Sequence, residues 1–588
     1  MWILAYFLLH FAIYTAFRLQ FLIWNWSGLK ILSTPQILSA FFNGFRFDLS
    51  ALAFTVGLFY LGLFWIEKYK PIKKIWFGLF WLINSILFLV NSVDSELVNF
   101  TARRFTKASF FLVGEGNVTN LIIPYIWMAG FTFLLLVFYA FANVVLYKKI
   151  RIHFSIPKKI ILSFVTILLA IVCSRGGLQH KPMTFVDGRI FENPLANHMV
   201  FNSTFTLFKS LGKPTAQRIH YFDNKEMLGY LNQPEKIKLI TPAPLPKANV
   251  VIFILESFSK EYTELKNPEF TPFLNSLAKK GLYFPHFYAN SRRSIEGVAA
   301  ILAGVPALME EPFISSEFAS NEFIGLGTVL SRQGYHTSFF HGANNGSMHF
   351  DAFTKSAGIQ NYYGRNEYPD KNDDDGTWGI YDGPFLNWAC EKFSTFPQPF
   401  MSSLFTLSSH QPFNIPAAER AQHPDGPHPI LKSIHYTDST LQRFMECAEN
   451  TTWYKNTIFI FTADHTGPRL GEDKDFSAQF EVPLVIYSPN PDALKNMDTT
   501  QFGQHIDILP TLLETIGIEQ KSVNHLARSL WHTGPKVIPL YSDGIYDLQG
   551  FPKGVSPAVK ANTQKAVIQY FSEGLFDNKL YYPLKSSF

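Results

Sequence analysis

Four apolar runs beyond residue 248 of this 588-residue sequence each end in a side chain that can bind a metal or move a proton. Glu256, His341 and His410 follow three of the runs, and the adjacent Asp464 and His465 follow the fourth. Because the carboxyl ends of parallel strands meet at one edge of a sheet, we expect these side chains to lie near one another. One such residue alone would be ordinary, since every strand ends in something polar, so the prediction depends on the whole set.

Three of these residues are candidate ligands of one metal ion. Glu256, Asp464 and His465 offer two carboxylates and one imidazole. A mixed set of oxygen and nitrogen ligands suits a divalent cation such as Mn²⁺, Mg²⁺ or Zn²⁺. The sequence therefore predicts one divalent metal site built from these three side chains.

Ser294 is a candidate nucleophile for that metal site. It follows Arg292 and Arg293 and precedes a helix-like run, so it is predicted at a helix N-terminus, where exposed N–H groups favour a negative oxygen or a phosphate. A Ser294 alkoxide beside a divalent metal is able to attack phosphorus, with the two arginines holding phosphate oxygens. A second interpretation of the local sequence is that Ser294 only caps the helix.

Short runs of β-branched and aromatic residues are expected to be the strands that position these side chains. They are apolar throughout and alternate with helical stretches, which favours a mainly parallel sheet covered by helices on both faces. The predicted strands are Val250–Leu255, Thr337–Phe340, Phe400–Leu407, Thr457–Thr462 and Leu484–Tyr487.

The N-terminal part of the sequence has a different pattern, with five apolar runs separated by short polar loops. Each run is near the ~20 residues that a helix needs to cross a bilayer. The first is predicted to be an uncleaved span, since it lacks the basic start and the small-residue cleavage site of a signal peptide. The five predicted spans are Trp2–Trp24, Leu49–Ile66, Ile75–Val93, Leu121–Leu146 and Ile160–Cys173.

Basic loops predict the orientation of these spans. Glu67–Lys74 and Lys148–Lys159 are short and rich in lysine, and such loops stay in the cytoplasm. The loop between the third and fourth runs also contains basic residues, at Arg103–Lys107, which weakens the difference in charge between inside and outside loops. Acidic residues accompany them in that loop. Five spans with this parity put the N-terminus inside and everything after about Arg175 outside. We therefore expect a multi-pass protein of the cytoplasmic membrane, with its remaining domain facing the periplasm or the cell exterior.

The composition supports a membrane part joined to a water-soluble part. Hydrophobic residues make up 47% of the chain and charged residues only 16%, against a usual charged share of about 25%. The net charge of +5 is small for this length, so no nucleic-acid partner is predicted. The three cysteines include no close pair, which excludes a disulfide-dense scaffold and a zinc ribbon. Cys390 and Cys447 are able to pair if exported, but their spacing does not decide this.

Proline-punctuated sequence separates the two parts. The predicted domains are a five-span membrane domain at 1–175, a linker at 176–247 and an extracytoplasmic α/β domain at 248–588.

These motifs, taken together, resemble the alkaline phosphatase/sulfatase superfamily and, within it, the lipoteichoic acid synthase family. Members of that family have five transmembrane helices and an extracytoplasmic phosphoglycerol-transferase head with a sulfatase-like α/β fold. The resemblance spans nearly the whole chain. It is carried by Glu256, Arg292-Arg293-Ser294, His341-Gly342, Asp375–Gly379, His410, Asp464-His465 and Gln504–Thr511.

The resemblance implies a function. A glycerophosphate group would move from a membrane phospholipid, phosphatidylglycerol, to a glycan or a glycerophosphate polymer outside the membrane, through a phosphoglyceryl-serine intermediate. Mn²⁺ would be the metal, with Mg²⁺ or Zn²⁺ as alternatives. The implied assignments are catalysis by Ser294 and Arg293, metal binding by Glu256, Ser294, Asp464 and His465, and substrate binding by His410, Arg292 and His341.

The sequence departs from the family in two places. Ser294 stands where lipoteichoic acid synthases typically have threonine, which keeps the hydroxyl chemistry. Met348 and Phe350 stand where those synthases place a tryptophan and an arginine that contact the glycerophosphate. The side chains able to replace those contacts, which are also ordinary loop residues, are Asn344, Asn345, His349 and Arg365.

Other functions stay open at this point. A phosphoethanolamine transferase of lipid A or another envelope glycan shares the five-span plan, and a non-catalytic lipid-sensing module would keep the fold. A true sulfatase is not predicted, because the sequence from Ser294 lacks the Cys/Ser-x-Pro-x-Arg signature. Asp373–Asp375 is either a cation site or a solvated acidic turn, and His423 and His428 are weaker candidates for a role near the site.

Overall fold

The chain consists of two compact units. In the computed structural model the first unit is Met1–Ala216 with Ser315–Asn321, and the second is Gln217–Ile314 with Glu322–Phe588. The predicted domain limits at 175/176 and 247/248 stay predictions. The structure describes residues 2–66, 68–101, 104–107, 109, 126–150, 154–191, 193–212, 217–231, 237–240, 242, 244–471, 475–490, 492–520 and 522–583.

The described residues of the first unit include five helical stretches that are long and apolar enough to cross a membrane, which confirms the five predicted apolar helices. The helices of this unit that the structure describes are α1 Trp2–Trp24, α2 Trp26–Leu29, α3 Thr34–Leu52, α4 Leu58–Ile66, α5 Lys70–Thr101, α6 Ile126–Lys149, α7 Ile156–Ser174, α8 Pro194–Val200 and α9 Ser203–Leu211. Residues 121–125 of the predicted fourth span lie outside the described residues.

The second helical stretch begins well before the predicted Leu49. It runs from Thr34 through α3, a π-helical turn at Ala53–Gly57 and α4. The residues before Leu49 escaped the prediction because Arg46 and Asp48 break the apolar run. Inside the unit Asp48 is fully buried and accepts hydrogen bonds from Arg18 of α1 at 2.5 and 2.8 Å, so its charge is neutralised by tertiary packing.

A second buried ion pair lies in the same unit. Arg104 Nη1 lies 3.1 Å from Asp94 Oδ2, and both side chains are shielded from solvent. Arg18 and Arg104 also donate to backbone carbonyls at the C-terminal end of α8, the negative end of that helix. The two pairs therefore fix α8 against α1, α3 and α5.

The second unit is built on a mixed sheet. The strands that the structure describes in this unit are β1 Asn249–Leu255, β2 Leu282–Tyr283, β3 Phe287–Tyr288, β4 His336–His341, β5 Asn361–Tyr363, β6 Phe400–Phe405, β7 Thr457–Ala463, β8 Leu484–Tyr487, β9 Gly503–Gln504, β10 Ser522–Val523, β11 Ile538–Ser542, β12 Ile545–Gln549 and β13 Tyr582–Pro583. Seven of them form one sheet with the order β2-β8-β7-β1-β6-β4-β5. The five strands β7, β1, β6, β4 and β5 run parallel, and β8 is antiparallel to β7, so the predicted mainly parallel sheet is confirmed.

Helices cover the sheet and frame its carboxyl edge. Those that the structure describes in this unit are α10 Asn224–Leu231, α11 Lys260–Glu264, α12 Pro272–Lys280, α13 Ser294–Ala303, α14 Leu326–Arg332, α15 Phe350–Ser356, α16 Asp382–Phe393, α17 Ile430–Glu449, α18 Ile508–Thr515 and α19 Pro557–Phe576. Cys390 of α16 and Cys447 of α17 form a disulfide, the pairing that their spacing left open.

Strand β6 ends two residues before the predicted Leu407. The buried Asp382 carboxylate at the start of α16 accepts hydrogen bonds from Leu407 N and Ser408 N, at 2.6 and 3.1 Å. These two N–H groups are therefore taken out of the sheet, which turns the chain toward His410.

Helix α13 lies unusually close to the end of β7 because Gly297 stands in its first turn. A Cβ atom at this position would lie 2.4 Å from the carbonyl oxygen of Asp464 and 2.9 Å from its carbonyl carbon. Because these atoms belong to the backbone of Asp464, they are not able to move away from a Cβ atom as a flexible side chain would. The glycine thus sets the distance between Ser294 on the helix and Asp464 on the strand end.

We predict that Gly297→Ala destabilises the second unit by about 1–3 kcal/mol, the usual cost of overpacking. The measurement is the midpoint of thermal unfolding of the full chain in detergent. Gly229→Ala is the matched control, since Gly229 lies in α10 and its Cβ would meet nothing within 4 Å. Equal midpoints for the two variants would contradict the close-packing argument.

Candidate metal centre

Glu256 and Asp464 stand side by side because of the strand register. Leu255 pairs with Ala463 in the parallel β1–β7 ladder, so the next residue of each strand is a carboxylate. Glu256 is 2% exposed and Asp464 is fully buried. Ser257 N and His465 N each donate to Asp464 Oδ1 at 2.8 Å. The neighbouring backbone therefore holds one oxygen of Asp464 and leaves the other for a ligand.

Ser257 shows that the chain is constrained at this point. Its φ angle is +59°, in the left-handed region that non-glycine residues rarely adopt. This conformation lets Ser257 N reach Asp464 while the Ser257 hydroxyl donates to Glu256 Oε1 at 2.6 Å. Backbone strain of this kind concentrates at functional sites.

The Nε2 atom of His465 faces the two carboxylates. Its Nδ1 lies 2.8 Å from the carbonyl oxygen of Thr466, which accepts the Nδ1–H hydrogen. Nε2 is therefore the unprotonated nitrogen of the neutral ring. It lies 3.3 Å from Asp464 Oδ2 and 3.7 Å from Glu256 Oε1.

Ser294 completes the group. It is the first residue of α13 and 5% exposed, and its Oγ donates to Glu256 Oε2 at 3.0 Å and lies 3.3 Å from His465 Nε2. The helix start is capped by Glu296, which accepts hydrogen bonds from Arg292 N and Arg293 N. The Ser294 hydroxyl therefore faces the carboxylates and does not act as the helix cap.

The electrostatics of the group call for a cation. Burial and the charge of Glu256 raise the pKa of Asp464 well above its usual value. Burial opposes charge on His465 as well, but the two adjacent carboxylates raise its pKa. Burial also disfavours the charge of Glu256, yet the imidazoles of His465 and His410 lower its pKa. Two buried carboxylates thus share one site and need positive charge beside them.

The donor set fits a divalent metal. One ligand atom from each of Glu256, Asp464 and His465 lies within 4.8 Å of the others. Asp464 Oδ2 is buried and accepts no hydrogen bond from the described part of the chain. Asp464 Oδ2 and the neighbouring His465 Nε2 each have a lone pair that no hydrogen-bond donor among the described residues occupies. A metal cation is able to bind both lone pairs at once.

The two predicted arginines have different partners. Arg292 Nη1 donates to Gln479 O at 2.6 Å and to Thr466 Oγ1 at 3.2 Å, which places it next to His465. Arg293 forms an ion pair with Glu296 at 2.5 Å. The predicted catalytic role of Arg293 stays a prediction, and its observed contact is with the capping glutamate.

The two predicted substrate-binding histidines reach the same edge of the sheet. His341 ends β4 and is 1% exposed, and its Nε2 has no hydrogen-bond partner among the described residues. Burial lowers the pKa of His341 to about 4, so the ring is neutral. His410 is partly exposed, and its Nδ1 lies 3.1 Å from Gln411 O. Both stay candidates for binding a substrate.

Trp378 lies at the edge of the site, in the segment Asp375–Gly379, to which the sequence analysis gave no role there. Its ring centroid lies 4.0 Å from that of His410, and its indole N–H donates to Gln411 O at 2.7 Å. The preceding Asp375 accepts hydrogen bonds from three backbone N–H groups, including Trp378 N, and so holds the turn. Trp378 therefore supports the predicted head-group ligand His410.

The remaining candidates have local partners. Arg365 binds Asp374 at 2.6 Å, and Asp373 accepts from Tyr368, so the acidic turn is held by its own neighbourhood. His423 Nδ1 lies 2.8 Å from His435 Nδ1 on α17.

Comparison with known proteins agrees with this geometry. Residues 248–518 match the family model described as Sulfatase. The chain therefore contains a sulfatase-like α/β domain. The resemblance seen in the motifs is thereby confirmed at the level of the superfamily.

Two curated relatives and one solved structure resemble this chain. The lipoteichoic acid synthase-like protein YvgJ of Bacillus subtilis is 24% identical over 302 residues, which cover 47% of this chain and 49% of that protein. Phosphoglycerol transferase I of Salmonella arizonae is 29% identical over 259 residues, covering 40% of this chain and 32% of that protein. The chain thus spans half or less of these relatives. The crystal structure of lipoteichoic acid synthase LtaP from Listeria monocytogenes shares the fold, with TM-score 0.50, 17% identity and coverage of 62% of this chain and 99% of that one.

We predict that Asp464→Asn lowers metal binding by the sulfatase domain by at least about tenfold, because an amide replaces a charged ligand of the same shape. The measurement is Mn²⁺ bound by the purified full chain after equilibrium dialysis, read by elemental analysis. Asp438→Asn is the control, since this carboxylate is buried but holds backbone N–H groups of α12. Unchanged Mn²⁺ binding in the Asp464 variant would remove this residue from the ligand set.

Proposed function

We propose that this chain is a membrane-bound, metal-dependent phosphoglycerol transferase. It moves a glycerophosphate group from phosphatidylglycerol to a glycan or polymer acceptor outside the cytoplasmic membrane. The observation that carries the proposal is the position of Ser294 Oγ, which lies within hydrogen-bond reach of both Glu256 and His465 at the start of a helix. The sulfatase-family match and the names of the relatives support the same reaction class.

Glu256, Asp464, His465 and Ser294 would hold the metal. Mn²⁺ fits this oxygen and nitrogen set, as do Mg²⁺ and Zn²⁺. When bound, a divalent ion favours the ionised form of a serine hydroxyl and offsets the negative charge of phosphoryl oxygens.

In the first half-reaction, Ser294 Oγ attacks the phosphorus of the lipid phosphodiester. The hydroxyl proton moves to Glu256 Oε2, its nearest acceptor at 3.0 Å. The bond between phosphorus and the diacylglycerol oxygen breaks, and that oxygen takes the proton from Glu256 and leaves as diacylglycerol. The product on the protein is phosphoglyceryl-Ser294.

In the second half-reaction, a hydroxyl of the acceptor attacks the same phosphorus. Glu256 Oε2 takes the hydroxyl proton and returns it to Ser294 Oγ as the bond between phosphorus and the serine oxygen breaks. Arg292, next to His465, is positioned to hold the nonbridging phosphate oxygens. The acceptor leaves carrying the glycerophosphate, so atoms and charge balance over the cycle.

The membrane part would keep the head beside a donor that stays in the bilayer. The Cys390–Cys447 disulfide supports an extracytoplasmic head, because disulfides persist outside the cytoplasm. The domain limits 1–175, 176–247 and 248–588 and the inside position of the loops Glu67–Lys74 and Lys148–Lys159 belong to this proposal.

We predict that Ser294→Ala lowers diacylglycerol release from phosphatidylglycerol by more than about a thousandfold, since the nucleophile is lost. Ser294→Thr keeps the hydroxyl and retains measurable release. The measurement is diacylglycerol formed by the full chain in detergent with Mn²⁺.

Metal content and thermal unfolding of both variants are the controls, because they separate lost chemistry from lost folding. Release by a folded, metal-loaded Ser294→Ala variant at the parent's rate would show that Ser294 is structural. An acceptor or water activated directly at the site would then replace the covalent mechanism.

A further inference from the structure

A cleft of about 440 Å³ lies between α16 and α17 in the second unit. Its walls come from the acidic turn, from the first residues of α16, from the loop after His410 and from α17. The side chains that matter here are Asn372, Asp373, Tyr381, Asn387, Glu419 and Arg443. None of them has a role in the site described above.

The cleft offers hydrogen-bonding groups that the described part of the chain does not use. The side-chain amides of Asn372 and Asn387 have no hydrogen-bond partner there, and both residues are exposed. Arg443 Nε is buried from solvent and donates to no acceptor among the described residues. Its Nη1 donates to Glu419 Oε2 at 3.1 Å, which leaves the remaining guanidinium hydrogens for a ligand.

Gly383 places this guanidinium against the start of α16. A Cβ atom there would lie 3.0 Å from Arg443 Nη2 and 2.7 Å from the hydroxyl of Tyr436. The absence of a side chain at Gly383 therefore leaves room for Arg443 Nη2 and the Tyr436 hydroxyl at the start of α16.

The charges of the cleft select among possible ligands. Asp373 and Glu419 are acceptors, Arg443 is a donor, and the two amides do both. One cation beside two carboxylates gives a formal charge of −1, which repels a polyanion such as a glycerophosphate chain. A neutral ligand with many hydroxyl groups uses every one of these partners, since each hydroxyl both donates and accepts.

The cleft and the sheet edge that carries the metal centre share two chain segments. Asp382, between the lining residues Tyr381 and Gly383, binds the backbone of Leu407 and Ser408, just before His410. Pro416, six residues after His410, also lines the cleft. A ligand in the cleft is therefore held by the same loops that bring His410 to the site.

We propose that this cleft binds the acceptor, and that the acceptor is a neutral sugar rather than a glycerophosphate polymer. The proposal rests on the proposed transferase function and adds to it the chemical class of the acceptor and the residues that hold it. Sugar hydroxyls would pair with Asn372, Asn387, Asp373, Glu419 and Arg443.

The test uses the full chain in detergent with Mn²⁺ and phosphatidylglycerol labelled in its head-group glycerol. Maltose and cellobiose are the neutral probes, and glycerol 3-phosphate is the anionic one. Label transferred to the probe and diacylglycerol released without any probe are measured separately.

The variant Asn372→Ala/Asn387→Ala removes two exposed amides, so it leaves the fold intact. We expect it to raise the KM for the disaccharide about tenfold, as two lost hydrogen bonds would. Arg443→Met has at least the same effect. Diacylglycerol release without a probe is unchanged in both variants. Gln442→Ala, next to Arg443 on α17 but paired with Glu446, is the matched control and behaves as the parent.

Three results would overturn the inference: an unchanged disaccharide KM in the cleft variants, equal loss of both measured activities, or preferred transfer to glycerol 3-phosphate. Failure of the parent to release diacylglycerol would instead overturn the transferase function. In that case saturation-transfer NMR of maltose with the parent and the double variant still tests the cleft. Loss of the maltose signal in the variant supports it, and equal signals contradict it.

Discussion

The burial of two carboxylates side by side is the constraint on which the second unit depends. Glu256 and Asp464 are nearly or fully removed from solvent, and an uncompensated pair of this kind costs several kcal/mol. The structure compensates with backbone donors to one Asp464 oxygen and with the His465 ring. The remaining oxygen is left for a cation. A protein gains nothing in stability from this arrangement unless a metal occupies it, which indicates that the site serves function.

The rest of the local fold follows from holding that pair in place. The parallel register of β1 and β7 puts the carboxylates at equal height, and the left-handed Ser257 ties the two strand ends together. Gly297 then brings α13 against Asp464, so that Ser294 meets the group from the opposite side. The position of the Ser294 hydroxyl thus depends on the register of β1 and β7, on the strained Ser257 and on the absence of a side chain at Gly297.

Much of this was predictable from the sequence, because strand ends in a parallel sheet share one edge. That rule alone brought Glu256, His341, His410, Asp464 and His465 to the same region, and the helix start after Arg293 placed Ser294 correctly. The ion pair between Arg293 and Glu296 was also predictable from their spacing, since residues three apart are neighbours on a helix. What failed depended on tertiary contacts. The early start of α3 needs Arg18 to neutralise Asp48, the end of β6 needs Asp382, and the packing of Trp378 on His410 joins loops distant in sequence.

The central claim is that Ser294 becomes covalently attached to glycerophosphate. The most direct measurement is mass spectrometry of the tryptic peptide Ser294–Arg332 after the full chain has been exposed to phosphatidylglycerol and Mn²⁺ without acceptor and quenched in acid. We expect a mass gain equal to glycerol phosphate less one water, with fragments that place it on Ser294. An unmodified peptide during steady release of diacylglycerol would contradict the account.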